Sequence, residues 1–303
     1  MKTLTRVAFL LLILGLLSAC GSYPVDQGPA LIVDPGVDPE AWALVPAGEF
    51  LYGQFDHEVL IDYDYQIMIT EVTNQQFADY LNEALTAGTI KIVDNEIVGY
   101  YHGDEFNAYR HEFEIAAGDW AHYPLEAEGL RVSLVGDQFV VREGYENHPV
   151  TNVTWFGAEA YCEYQGGRLP TDHEWEKAAR GTDGLAFPWG NEISEENANF
   201  YSSKDPFELY HGRIGDTTPV GFYNGDSYDG YPTIDSPSPF GLYDVAGNVE
   251  EWSGSVHKYE HYRYLHGGSK AYAGYDLRIW VTGNVSPYYF SPSIGFRCAA
   301  DSN

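Results

Sequence analysis

The sequence predicts a folded, loop-rich globular protein with few helices and short strand-like runs. Of its 303 residues, 44% are hydrophobic and 16% aromatic, which separates it from disordered acidic chains even though 16 basic against 45 acidic side chains leave a net charge of −29. Only three segments carry a helical period behind a capping signal. After Gly181 turn residues recur every few positions with little periodicity, which predicts long ordered loops. The length admits one large domain or two ordinary ones, and composition does not choose between them. The 25 Tyr, 32 Gly and 2 Met fit an extracytoplasmic chain better than a helical cytosolic one. The negative excess argues against nucleic acid, whose phosphates it would repel, and for cationic partners or divalent cations.

Lys2 and Arg6 precede an apolar run from Val7 to Leu17, broken only by Gly15. That run is too short to span a bilayer and has the charged, apolar and small-residue zones of an export signal, placing a signal peptide at 1–19. It ends at Leu17-Ser18-Ala19-Cys20, which resembles the lipobox of bacterial lipoproteins, cut before a cysteine that is then acylated. The expected location is therefore extracytoplasmic, with the membrane as partner through lipid on Cys20. Residues 20–40, rich in Pro, Gly and Asp, are expected to be a flexible tether to a domain at 41–303.

Within that domain, Trp42 to Gly53 alternates around Pro46-Ala47-Gly48 and predicts a hairpin. Thr73 with Gln76 forms a capping box, and Phe77, Tyr80, Leu81 and Ala84 follow at helical spacing, so one helix face is buried. The segment 88–147 is expected to be a variable insert, strand-like at Ile90 to Val93 and Arg131 to Val141, carrying His102, His111 and His122 among many acids. A second helix starts at Thr154 and stops at Gly166-Gly167; a third starts at Thr171, with Glu174 closing its box, and ends at Gly181. If Cys20 carries lipid, Cys162 and Cys298 are a disulfide candidate in an oxidising compartment, with free buried thiols the rival from the count alone.

The stretch His148 to Gly181, then Phe187-Pro188-Trp189-Gly190-Asn191, Thr218-Pro219-Val220-Gly221, Ser238 to Ser253 (SPFGLYDVAGNVEEWS), Gly267-Gly268-Ser269 and Ile294-Gly295-Phe296-Arg297-Cys298-Ala299 follow one another in order. Together with the opening VPAGEFLYG and EVTNQQF, they strongly resemble the formylglycine-generating enzyme, or sulfatase-modifying factor, family from about Trp42 to the end of the chain. The resemblance implies a single α+β domain related to C-type lectin folds, with short sheets, few helices and long ordered loops. It also implies that Cys162 pairs with Cys298.

Family members that make formylglycine resemble copper oxidases whose reactive Cys-x4-Cys lies between the Gly-Gly-Ser and Gly-Phe-Arg motifs, soft thiolates being suited to Cu(I). Here that interval contains no cysteine; counting from Ser269 puts Leu277 and Thr282 at the two positions. Copper and the family's named activity are therefore not expected. His257, His261 and His266 are a candidate metal set, His257 and His261 sharing a face if helical, with surface packing the more ordinary reading. His266 stands where the family form before Gly-Gly-Ser is usually Arg. Tyr259, Tyr262, Tyr264, Tyr272 and Tyr275 suit stacking on a sugar or peptide, or simply cover loops. No Gly-x-Ser-x-Gly elbow, phosphate-binding glycine loop or His-Glu-x-x-His motif is present.

The resemblance implies a calcium site on Asp244 and Glu251 through side chains and on Gly247 and Val249 through carbonyls, with Asn199 part of a second site whose acidic partner is Asp205 or Asp216. Oxygen ligands in a flexible array suit a hard cation. Glu251→Gln is expected to remove the calcium effect while leaving the fold intact. The functional expectation is a lipid-anchored, calcium-stabilised binding or assembly module for a protein, peptide or glycan. The alternative is an enzyme of changed chemistry in the same cleft, a metal-dependent oxidase or a peptide or metabolite maturation factor, with formylglycine synthesis third.

Overall fold

The computed structural model describes residues 31–105, 113–127, 129–211, 215–257 and 261–302. Cys20 and the export segment lie outside them, as do His111, Tyr259 and Glu260.

The three expected helices form where their caps sit. Helix α1 (Asn74–Ala87) begins with Thr73 and Gln76 closing a capping box and ends at Gly88, whose φ of 74° is the left-handed conformation that glycine adopts without cost. Its buried face is Phe77, Ala78, Tyr80, Leu81 and Ala84. Helix α2 (Trp155–Tyr164) is capped by the Thr154 hydroxyl, and α3 (Asp172–Arg180) by a Thr171/Glu174 box. A short α4 (Pro206–His211) and a 3-10 turn at Gly274–Leu277 carry no sequence signal of comparable strength.

The opening hairpin is corrected. Strand β1 (Trp42–Val45) pairs antiparallel with β4 (Tyr65–Met68), whose other edge takes the last strand, β16 (Ala299–Asp301), while β2 (Gly48–Tyr52) pairs with β3 (His57–Ile61). The Pro46-Ala47-Gly48 corner bends the chain instead of reversing it: the Ala47 amide donates to Asp64 Oδ1 at 2.7 Å and Gly48 takes a φ of 145°. Alternation announces strands but does not choose their partners.

Segment 88–147 belongs to the core of the domain. Strands β5 (Ile90–Val93), β6 (Glu96–Tyr101) and β7 (Gly118–Pro124) form an antiparallel sheet, and β8 (Val132–Val135) with β9 (Gln138–Val141) a hairpin. Ile90, Ile97, Tyr123, Val132 and Phe139 join Phe77, Tyr161, Trp252 and Phe296 in one buried cluster. In the same cluster the Cys162–Cys298 disulfide, Cα atoms 5.4 Å apart, links α2 to the chain's last segment across 136 residues. Closing so long a loop stabilises by about 5 kcal/mol in the chain-entropy model.

A second cluster gathers Tyr65, Trp175, Phe187, Leu242 and Leu277 around α3. A third, Phe207, Phe222 and Tyr223, is covered by Leu31 and Val33. Residues 31–40 are thus no flexible tether: two apolar side chains seat on an aromatic surface, and Asn224 Nδ2 donates to the Pro35 carbonyl at 2.9 Å. After a two-residue pair, β10 (Ser227–Tyr228) and β11 (Tyr231–Pro232), comes the sheet that carries the site. Its order is β14 (Gly283–Val285), β13 (Arg263–His266), β12 (Glu250–Val256), β15 (Ile294–Gly295), with β15 parallel to β12.

Buried arginines tie loops from both halves of the chain to the core. Arg180 donates to the carbonyls of Gly53 and Leu185 while pairing with Glu176, and Arg263 holds Asp104 with bonds of 3.0 and 2.8 Å. A guanidinium offers five donors in a fixed fork, so one residue satisfies several loop carbonyls at once.

Candidate functional site

The cleft opens between the start of β12, the Gly-Gly-Ser segment and the loop into β14. An outer hollow of about 240 Å³ is lined by Glu250, Tyr272, Asp276, Thr282 and Gly283; an inner one of about 370 Å³ shares Glu250, Tyr272 and Gly283 and adds Tyr289, Ser291 and Ser293. Of the two positions counted in place of the thiol pair, Thr282 lines the cleft and Leu277 is fully buried in the second core cluster. The described cysteines, Cys162 and Cys298, are bonded to each other.

Glu250 is the residue that sequence reading missed. It is 9% exposed, accepts a bond from the Tyr272 hydroxyl at 3.2 Å, and among the described residues has no cationic partner. Burial pushes its carboxyl up to about 7, and burial together with Glu250 pushes the Tyr272 phenol up to about 12. A Cβ on Gly283 would come within 3.2 Å of Glu250 Oε1, so the bare backbone there leaves the carboxylate room. The signal was in the sequence: adjacent strand residues point to opposite faces, so Glu250-Glu251 had to send one carboxylate away from the other.

Glu251 goes inward and is fully buried. Its oxygens accept from Arg297 Nε at 2.7 Å, Arg297 Nη2 at 2.8 Å and Trp175 Nε1 at 2.8 Å. Removing its charge therefore breaks a buried ion pair, and the expectation that Glu251→Gln spares the fold is corrected. Nearby, Glu71 accepts from Asn248 Nδ2 and the Val249 amide, and Asp244 from the Gly221 amide at 2.6 Å. Glu71 is raised well above the carboxylate range, first by burial and then by Asp244 and Glu251, while burial lifts Asp244 to about 6. The buried Glu71 and Glu251 and the half-buried Asp244 thus lie beside one guanidinium.

The residues expected to hold calcium meet that charge imbalance. Gly247, with a φ of 96°, leaves room for the Asn199 carbonyl, which lies 2.3 Å from where its Cβ would be; the same carbonyl accepts from the Asn248 amide at 2.8 Å. Asn199 donates through Nδ2 to the Asp216 carbonyl, and its buried Oδ1 has no hydrogen-bond partner among the described residues. Of the expected ligands, the unpartnered Asn199 oxygen is of the kind a hard cation takes, whereas both Glu251 oxygens are already committed to Arg297 and Trp175. Of the two acids left open beside Asn199, Asp205 instead caps the start of α4, and Asp216 pairs with Arg131 at 2.7 Å.

The histidines do not assemble. His257 sits at the end of β12 with its ring against Tyr264, His261 stacks on Phe113, and His266 lies fully buried on Trp175 with ring centroids 4.7 Å apart. Burial lowers His266 to about 4, which keeps its ring neutral. Among the described residues no group of three or more His, Cys, Asp or Glu side chains is placed to hold a metal. His257 and His261 lie just beyond the paired ends of β12 and β13, where the His257 amide donates to the Tyr262 carbonyl, and the residues between them lie outside the described ones. Of the five tyrosines, Tyr272 lines the cleft, Tyr264 lies against His257 and His266, and Tyr275 is exposed.

Residues 33–302 match the sulfatase-modifying factor enzyme 1-like domain, and the chain belongs to that family. It is 29% identical over 287 residues to serine/threonine-protein kinase pkn1 of Chlamydia pneumoniae, covering 86% of this chain and 38% of that one. It is also 35% identical over 168 residues to the inactive C-alpha-formylglycine-generating enzyme 2 of Bos taurus, 53% of this chain and 52% of that one. The chain thus spans well under two thirds of the length of either relative. Among solved structures, PvdO from Pseudomonas aeruginosa superposes with a TM-score of 0.55 at 20% identity, over 91% of this chain and all of that one, which shows a shared fold.

Proposed function

We propose that the protein is a non-catalytic, calcium-stabilised binding module of the formylglycine-generating enzyme family, held outside the cytoplasm by lipid on Cys20. The observation that carries this reading is a cleft without a thiol: the oxidase chemistry of the family depends on sulfur, and Glu250, Tyr272 and Thr282 offer none. What the cleft does offer is a carboxylate, an Asp276 carboxyl, two half-exposed tyrosines and serine hydroxyls. Those groups suit the hydroxyls of a glycan or the basic side chain of a peptide. A cation at the Asp244–Glu251 loop, and a second one at Asn199, would act on folding rather than on ligand chemistry.

The test is incubation of the purified protein with a Cys-x-Pro-x-Arg peptide and added copper. No mass loss on the peptide cysteine is expected; formylglycine formation would overturn the reading. Anchoring is tested separately, since Cys20→Ala should move the protein from the membrane fraction to the soluble one, and a variant that stays with membrane rejects the lipid anchor.

A further inference from the structure

A second cavity, of about 560 Å³, lies between the β8–β9 hairpin, the loop at Gly215 to Thr217 and the segment Pro292-Ser293, sharing only Ser293 with the inner hollow of the cleft. In a protein with 16 basic residues against 45 acidic ones, three cations line this one space: Arg131, Arg142 and Lys270. Against them stand Asp216 and the exposed Glu126 among the described lining residues. Among the described lining residues the balance is therefore opposite in sign to that of the whole molecule.

Asp216 has little left to give. It accepts from Arg131 Nη2 at 2.7 Å, the Tyr145 hydroxyl at 2.7 Å and the Thr217 amide at 2.8 Å, and Arg131 foremost among its charged neighbours holds it down to about 2 against the cost of burial. Both guanidiniums lie over the Tyr145 ring, Arg131 at 3.9 Å and Arg142 at 5.3 Å, and the Arg142 amide donates to the Arg131 carbonyl, so the strand ends present them as a pair.

Lys270 is the anomaly. It is 6% exposed, its ammonium donates to the Pro292 carbonyl, and Asp216 and Glu71 act on it only from beyond ion-pair distance among the described residues. An ammonium has three donors, and a buried charge without a counter-charge is costly. On one side of it lies the cavity, whose walls include the apolar Leu125, Leu130 and Pro149.

We infer that this cavity binds a small organic anion, its carboxylate or phosphate on Lys270 and the arginine pair and its apolar part against Leu125 and Leu130. The anion supplies the direct ion-pair contact that Asp216 and Glu71 do not make with Lys270, in charge-assisted bonds of the strong kind. The site is independent of the thiol-free cleft, and its ligand need not be that of the cleft.

The experiment is a melting curve and a calorimetric titration of the full chain in calcium-free buffer at constant ionic strength, with chloride, phenyl phosphate or benzoate. Phenyl phosphate or benzoate should raise the wild-type Tm by several degrees over chloride, and whichever does so tells phosphate from carboxylate. Lys270→Met should lose that shift while melting no lower than wild type in chloride, since an unpaired buried charge has gone. Arg142→Gln, at the rim, should weaken the Kd about tenfold and keeps the test open if the Lys270 variant fails to fold. Equal melting in all three salts, or an undiminished shift in either variant, overturns the inference.

Discussion

Replacing Arg297 by Met removes the guanidinium that pairs with Glu251 beside Glu71 and Asp244. The guanidinium is fully buried and makes two bonds to Glu251, one to the Met68 carbonyl at 3.2 Å and one to the Tyr243 carbonyl at 2.8 Å. Breaking a buried ion pair from one side costs about 3 to 5 kcal/mol, and two orphaned carbonyls add roughly 1 kcal/mol each. The expected loss is about 5 to 7 kcal/mol. At roughly 2 to 4 °C per kcal/mol for a domain of this size, the Tm falls by about 10 to 28 °C. Denaturation followed by circular dichroism, in chelator so that calcium does not enter, measures it. A double-mutant cycle with Glu251→Gln should return a coupling of at least about 2 kcal/mol, because the second change costs little once the first has broken the pair. If Arg297→Met stays within about 1 kcal/mol of wild type, or the two losses simply add, the ion pair is not what holds this loop region together.

Three further outcomes are expected. Reducing Cys162–Cys298 should cost about 2 to 5 kcal/mol, and peptide mapping should find both residues in one bonded fragment; two alkylatable thiols in the native protein would refute the bond. Millimolar calcium should raise the melting temperature, with about 2.7 kcal/mol gained at a hundredfold excess over the dissociation constant, and Asn199→Ala should blunt the gain; a wild-type curve indifferent to calcium and chelator sinks the calcium reading. His122, 2% exposed, is held by burial at about 4, below its ordinary 6.5, so the folded state binds fewer protons than the unfolded one. Its contribution is complete above pH 6.5 and is lost as pH falls through 6.5 toward 4, by about 3 kcal/mol. His122→Asn should flatten the fall in stability between pH 7 and pH 4 by that amount, and an unchanged slope would rule His122 out as its source.

What could be read in advance had a local physical cause. Thr73 with Gln76 and Thr171 with Glu174 are three residues apart, and the bonds that start α1 and α3 are made within one turn, so the letters alone locate them. The thiol-free cleft was legible for a different reason, since an absent residue type cannot be restored by folding. Partner choice was not legible: the same alternation in Trp42 to Gly53 serves a hairpin or two strands in separate sheets, and what decided was the Asp64 bond to Ala47 at the corner.

By itself, then, the sequence determined helix starts, the ordered run of family motifs and the absence of cysteine between Gly-Gly-Ser and Gly-Phe-Arg, all properties of near neighbours or of composition. Only the tertiary structure decided which charges meet. Glu71 joins Glu251 and Arg297 from the far end of the chain, Glu250 turns outward because its neighbour turned inward, and Arg131, Arg142 and Lys270 converge on one cavity from segments more than a hundred residues apart. Electrostatic energy depends on separation in space and on burial, and neither is a function of separation along the chain.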